Sequence, residues 1–306
     1  MQIQSGNHSK FRCGFIALIG RPNAGKSTLL NLLIGEELAL ATTLPQTTRK
    51  NLKGIYSDKN QQLIFIDTPG IHDGEHEIND RMMTEAIASF KNNNADCICY
   101  LVDLCRPFGA EEATASQLIL KSKLPVLVVF NKADKVENVA AIQKDFYSKH
   151  PEFKTFPSIT ISAIRKEDRD AFLTAIAPII PLGDAHFDPE DLTDATMRHF
   201  CAEAVRKHII LNTREEVPHS VYVEIVTYQE FDDHHDVDVT IHVETVGQRG
   251  IIVGKNGELI EKIRRRAQGE MKRLAGVPVK IKTHISISPD WRNNERFLKD
   301  AGYDKK

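Results

Sequence analysis

Cysteine is scarce in this chain of 306 residues: Cys13, Cys97, Cys99, Cys105 and Cys201, with no CxxC pair among them. An odd number without paired spacing argues against a disulfide framework and against a zinc cluster, and leaves buried, reduced thiols as the expectation. Long apolar runs are missing as well. None approaches the roughly 18 residues a membrane span requires. The opening MQIQSGNHSK has no apolar segment of the kind a secretory leader carries, so a cytosolic protein is expected. Internal repeats and low-complexity tracts are also lacking. So is an overall surplus of one charge, the net value being −2. That balance is uneven, however. Residues 247–282 hold ten basic side chains against Glu258, Glu261 and Glu270, a balance of +7, so the remainder carries −9. Such asymmetry points to one region that meets a polyanion.

From residue 15 to about 162, short apolar runs (FIALIG, LIFID, CICYLVDL, PVLVVF, SITIS) alternate with longer amphipathic segments. Runs of this kind read as strands buried on both faces and joined by crossover helices, which predicts a doubly wound α/β domain with a mostly parallel sheet. The acidic stretch PIIPLGDAHFDPED, with three prolines and little helical periodicity, reads as a linker. Beyond it the order becomes α-β-β-α-α-β: a helix in ATMRHFCAEAVRKHIIL, paired strands in VYVEIVTY and VDVTIHVET, helices around GKNG, and a last strand in VPVKIKTHISIS. That order predicts a smaller, separate α+β domain. The expected division is 11–180, a linker at 181–193, and 194–306 including the C-terminal tail.

GRPNAGKST follows the first strand and precedes a helical segment, which is the context a phosphate-binding P-loop needs. Gly20, Arg21, Pro22, Asn23, Ala24, Gly25, Lys26, Ser27 and Thr28 are therefore the first candidate nucleotide-binding residues. The glycines let backbone N–H groups approach phosphate, Lys26 reaches the β and γ oxygens, and Ser27 offers its hydroxyl to Mg²⁺. Asp67, ending LIFID, is the carboxylate expected to hold the same Mg²⁺, and in the following Thr68, Pro69 and Gly70 the glycine N–H would meet the γ-phosphate. In NKAD, Asn131 would hold the loop, the stem of Lys132 would cover one ring face, and Asp134 would accept from N1–H and the 2-amino group of guanine. Adenine would leave that carboxylate unpaired, a penalty on the order of 1–3 kcal/mol. Ser162, Ala163 and Ile164 (SAI) follow the next strand, where a backbone N–H could meet the guanine O6.

With these motifs in place, the chain resembles the Era GTPases of the TrmE-Era-like branch. The resemblance runs from CGFIALIGRPNAGKSTLLNLL through QTTRK, DTPGIH and NKAD to a C-terminal WRNNERFLKDAGY, a tail that other GTPases do not share. It implies a P-loop GTPase domain followed by a type II KH domain that binds RNA. It further implies slow hydrolysis of GTP to GDP, the 3′ end of 16S rRNA and the 30S ribosomal subunit as partners, and a role in small-subunit biogenesis. A monomer in the cytoplasm, with peripheral contact to the inner-membrane surface, completes the expectation. Two other readings stay open: another TrmE-Era-like GTPase acting on tRNA or on the large subunit, and an RNA-binding protein with a structural GTP site.

Gly70 is succeeded by Ile71, where Ras-like GTPases carry a Gln that orients the attacking water. An isoleucine has no atom to hold a water. In several relatives with an apolar residue here, a P-loop Asn binds K⁺ beside the β and γ phosphates, and Asn23 occupies that position. The cation would neutralise developing charge, the water would be held by backbone of the QTTRK loop, and Thr48 or its neighbour Thr47 would also ligate Mg²⁺. Lys26, Asn23, Thr48 and Gly70 are thus the residues expected to take part in catalysis. An Asn that merely satisfies the turn is the alternative. Two departures from the family pattern are the lack of a Gly in SAIRKEDRDAF, and Leu44 and Pro45 where basic residues are common.

In the basic region, GKNG (Gly254, Lys255, Asn256, Gly257) joins two helical segments as a KH G-x-x-G loop would, its backbone and Lys255 clamping phosphates. In the following helix Ile260, Ile263, Ala267, Met271 and Leu274 space as one buried stripe, with Lys262, Arg265, Arg266, Lys272 and Arg273 on the other side. A KH groove takes about four unstacked nucleotides, so single-stranded RNA is the expected ligand.

Overall fold

The computed structural model describes residues 11–40, 51–70, 86–88 and 95–300. The chain divides into two compact units, the first reaching Asp194 and the second starting at Ala195.

The first unit is built on a six-stranded sheet with the order β2-β3-β1-β4-β5-β6. Its strands are β1 (Arg12–Ile19), β2 (Leu52–Ser57), β3 (Gln61–Asp67), β4 (Cys97–Asp103), β5 (Val126–Asn131) and β6 (Ser158–Thr160). β3, β4 and β5 are buried at every position, which is why they appear in the sequence as unbroken apolar runs. Helices α1 (Lys26–Ile34), α2 (Ala110–Ser122), α3 (Val139–Lys149) and α4 (Asp168–Ile176) lie between or after the strands. All strands run parallel except β2, which pairs antiparallel with β3. β2 escapes a reading of apolar runs because LKGIYS is only partly buried, with a glycine inside it. The register sets Leu18 beside Asp67 and Asp103 beside Asn131, so the candidate nucleotide residues emerge together at the carboxyl edge of the sheet.

The stretch expected as a linker is held against the first unit. Gln62, fully buried on β3, accepts at Oε1 from the His186 and Phe187 N–H groups (2.8 and 3.0 Å) and donates through Nε2 to the Phe187 carbonyl (2.9 Å). Farther along, Ile55 N–H donates to Leu192 O (2.8 Å), and Gly54 bridges to Thr193. These bonds occupy the open side of edge strand β2, which would otherwise present unpaired backbone.

The second unit is a three-stranded sheet, β7 (Tyr222–Glu230), β8 (His235–Val243) and β9 (Val279–Ile287), with β8 antiparallel to β7 and parallel to β9. With α5 (Met197–Ile210), α6 (Val246–Val253), α7 (Glu258–Ala275) and α8 (Glu295–Asp300), it reproduces the expected α-β-β-α-α-β order plus a terminal helix. α5 packs on α7 and β7, and α7 covers β9. Ile263, Ala267 and Met271 are completely buried and Ile260, in the first turn, is half-buried, while Lys262, Arg265, Arg266, Lys272 and Arg273 are exposed as expected. Leu274 departs from the stripe. It is 42% exposed because it lies in the last turn, where the chain leaves the helix at Gly276 in a left-handed conformation (φ 75°). Trp291, the single tryptophan, is fully buried and donates from Nε1 to Ser220 O (2.8 Å), which ties the C-terminal tail into this unit.

Four cysteines are buried, but Cys105 is exposed, at the surface turn after β4. No helix among the described residues is long and apolar enough to cross a membrane.

Trp291 fluorescence reports unfolding of the second unit. Met271→Ala should lower the urea midpoint of that signal by the equivalent of about 2–5 kcal/mol, as expected for a large-to-small change in a closed core. Leu274→Ala should cost less than about 1 kcal/mol. Equal shifts in the two variants would contradict the burial difference.

Candidate nucleotide site and RNA loop

α1 begins at Lys26, with Gly25 as its N-cap and no side-chain cap, so its N-terminal dipole faces the phosphate loop. Gly25 sits at φ 98°, and a Cβ there would fall 2.2 Å from Asn131 Nδ2; a Cβ on Gly20 would meet the Leu101 carbonyl at 2.6 Å. Both glycines are thus required by close approach. Gly70 leaves β3 directly over the same loop, where a Cβ would lie 2.7 Å from Pro22 N and Cα. Asn23 adopts φ 63°, a left-handed turn conformation that asparagine tolerates well, so there is a local reason for asparagine here irrespective of any cation.

Lys26 is buried, its ammonium donating to the carbonyls of Gly20 and Arg21 (3.0 and 3.1 Å). Burial pulls its pKa down from 10.5 to about 8, against opposing attraction from Asp67 and Glu111. Ser27 Oγ donates to Asp67 Oδ2 at 2.7 Å. A hydroxyl and a carboxylate so close together are hard oxygen donors, and their chemistry fits Mg²⁺. Thr68 is buried and gives its hydroxyl to Leu18 O (2.7 Å), so its side chain fixes β3 to β1. Arg21 likewise turns its guanidinium into the protein, pairing with Glu112 at 2.7 Å and donating to Pro107 O at 3.1 Å. Only the Arg21 backbone is then available to a phosphate.

The base loops are joined to the phosphate loop by Asn131. Its Nδ2 donates to Ala24 O (2.8 Å), and its Oδ1 accepts from Ala163 N–H (2.9 Å). Asp134 accepts a 2.5 Å bond from Ser162 Oγ, which orients the carboxylate expected to read the base. Lys132 is in the left-handed region (φ 68°), with its ammonium 2.7 Å from Asp103 Oδ2. Ile164 is 69% exposed. The loop that lacks a glycine is closed instead by Asp168, which accepts the Ser162 N–H at 2.6 Å, and by Arg165 N–H donating to Ser162 O at 2.9 Å.

Motif spacing does not point to Asp103 or Asp168. A signal existed for Asp103, a carboxylate ending an otherwise apolar strand as Asp67 does. None existed for Asp168, which lies in a run of charged residues. Thr47, Thr48 and Ile71 lie outside the described residues.

In the second unit, Thr245 and Gln248 cap α6 reciprocally. Thr245 Oγ1 accepts from Gln248 N–H (3.2 Å), and Gln248 Oε1 accepts from Thr245 N–H (3.3 Å). The helix ends at Gly254 (φ 72°), where a Cβ would be 2.6 Å from the Leu259 Cβ, so the chain can turn only with glycine there. Asn256 and Gly257 also have positive φ (53° and 82°) before α7 begins. The loop presents Lys255 and Asn256 to solvent, and Lys262, Arg265 and Arg266 are exposed on the following helix.

A family model described as "50S ribosome-binding GTPase" matches residues 15–132, and one described as "KH domain" matches residues 216–292. Among curated proteins, GTPase Era of Ruminiclostridium cellulolyticum is 36% identical over 296 residues, 96% of this chain and 98% of that protein. GTPase Era of Lactobacillus delbrueckii subsp. bulgaricus is 36% identical over 304 residues, 98% of this chain and 99% of its own. A crystal structure of Era in complex with MgGDPNP and nucleotides 1506–1542 of 16S ribosomal RNA superposes with a TM-score of 0.91 at 31% identity, covering 96% of this chain and all of that one. An Aquifex aeolicus Era variant bound to GDP and AlF4⁻ gives 0.90 at the same identity and coverage. The chain belongs to the Era family of GTPases.

Proposed function

We propose that this chain is a guanine-nucleotide switch that hydrolyses GTP to GDP and phosphate, and whose second unit binds single-stranded RNA near the 3′ end of 16S rRNA during biogenesis of the 30S subunit. The observation that carries the nucleotide half is Asn131, whose two amide bonds hold the phosphate loop and both base loops as one assembly. The RNA half is supported by the glycine-bounded GKNG loop beside an exposed basic helix face, and by the 16S rRNA segment in the Era complex to which the fold is similar. One family model's description names the 50S subunit, but it matches only residues 15–132; the likeness to the RNA-bound Era structure extends over 96% of the chain and so weighs more.

In this reading Ser27 and Asp67 would hold Mg²⁺, which supplies charge neutralisation at the phosphates, with Thr47 or Thr48 completing the set. Lys26 exchanges its two carbonyl partners for phosphate oxygens. The Gly70 N–H and the amides at the start of α1 orient the γ-phosphate. Asp134, held by Ser162, selects guanine, and the Lys132 stem covers the ring. Asn23 would bring K⁺ to the β and γ phosphates and so supply the neutralisation that an arginine finger gives elsewhere.

Phosphate restores the protonated form of Lys26, so nucleotide binding takes up a proton above about pH 8. The affinity for GDP should be flat below that pH and fall by up to about tenfold per unit above it. Fluorescent-nucleotide titration reads this directly, and an undiminished affinity at pH 9.5 would remove Lys26 from the phosphate site.

Steady-state GTP hydrolysis should be faster in K⁺ than in Na⁺ at equal ionic strength. Asn23→Gly keeps the turn while deleting the carboxamide, and should abolish that difference. Equal wild-type rates in the two salts would sink the K⁺ role.

Replacing both Lys255 and Asn256 with Asp should weaken binding of a 16S 3′-end oligonucleotide by at least about tenfold through charge repulsion, while GTP hydrolysis without RNA stays unchanged. Unaltered RNA affinity would count against the loop.

A further inference from the structure

The base loop and the phosphate loop meet a second time, through charge. Asp103 ends β4, the strand lying between β1, which leads into the phosphate loop, and β5, which leads into NKAD. It is completely buried. Its Oδ2 lies 2.7 Å from Lys132 Nζ and 3.9 Å from a terminal nitrogen of Arg21, and its Oδ1 accepts the Cys105 N–H at 2.9 Å. Arg21 is itself 4% exposed, and its Nε and one terminal nitrogen find no hydrogen-bond acceptor. Its other terminal nitrogen is met by Pro107 O at 3.1 Å and by Glu112 at 2.7 Å, so the rest of the guanidinium is compensated by the charge of Asp103 at 3.9 Å. Glu112 is fixed in turn by the Gly109 N–H (2.9 Å) at the start of α2. Two carboxylates and two cations thus form a neutral cluster whose cations belong to different loops. Arg21, Asp103 and Glu112 are buried and Lys132 is half-buried, so these charges are screened less than a surface pair and hold one another in place more strongly. Lys132 also carries the strain of a left-handed backbone, which persists only where its surroundings hold it.

We propose that Asp103 is a positioning residue for the guanine nucleotide. It aims Lys132 so that its stem lies along the base face, and through Arg21 it sets the spacing of the phosphate loop from the base loop. The inference rests on the GTP-binding reading above. Asp103 touches no reacting atom, so its loss should appear in nucleotide affinity and leave the chemical step alone.

The test uses full-length, nucleotide-free protein carrying Asp103→Asn, Lys132→Met or both. Affinities for GDP and GTP come from displacement of a fluorescent guanine nucleotide, and kcat from saturating GTP. Asp103→Asn keeps the shape and removes the charge. It should weaken GDP and GTP alike by about tenfold, the usual effect of losing one charge-assisted contact, with kcat changed by less than about threefold. Lys132→Met keeps the stem and should show a comparable loss. Because both variants break the same pair, the double variant should be no weaker than the weaker single. Wild-type affinity in Asp103→Asn, a loss confined to kcat, or losses that multiply would each overturn the proposal. If Asp103→Asn fails to fold, wild-type affinity in Lys132→Met alone overturns it. A wild-type chain that binds neither GDP nor GTP would sink the nucleotide reading itself, and this inference with it.

Discussion

The carboxamide of Asn131 has a donor and an acceptor, and each engages a different loop. Its N–H reaches the Ala24 carbonyl in the phosphate loop, and its oxygen takes the Ala163 N–H in the third loop. Buried as it is, neither contact can be exchanged for water without leaving a polar atom unpaired. Gly25 makes the arrangement possible, because any side chain there would collide with the amide nitrogen. The positions of Lys26, Ser27 and Asp134 relative to one another follow from this one side chain and from the parallel strands that deliver all three loops to the same edge.

Charge reinforces what the amide begins. The cluster of buried Arg21, Asp103 and Glu112 with half-buried Lys132 spans the same gap, so the two candidate loops are tied by one neutral and one ionic link. The second unit solves its own problem separately. Thr245 and Gln248 fix the start of α6, Gly254 turns the chain sharply, and α7 buries Ile263, Ala267 and Met271 so that its basic residues face solvent. The +7 balance of residues 247–282 thereby becomes a surface, not merely a composition.

The parts legible in the sequence were those whose chemistry is local. β3, β4 and β5 are buried on both faces, so burial writes itself as a continuous apolar run. GRPNAGKST and GKNG are short stretches whose glycines answer backbone demands within a few residues. β2 leaves no such trace because an edge strand needs no apolar run. The stretch 181–193 has the composition of a linker, and it is held in place by partners more than a hundred residues earlier in the chain, Gln62 and Ile55 among them. Leu274 fits the helical period but lies in the turn where the helix ends.

By itself, then, the sequence determined the fold class, the order of the two units and the place of the basic loop, and it singled out the candidate phosphate- and base-reading residues. Each of these depends on residue type at fixed spacing, and backbone geometry ties spacing to shape. The tertiary structure alone decided that the Arg21 guanidinium turns inward to Glu112 and Asp103, that Thr68 gives its hydroxyl to β1, and that Asp168 closes the loop lacking a glycine. Those are contacts between segments distant in the chain or hidden in charged runs. Their partners are chosen by which groups burial brings within bonding distance, and no local pattern records that.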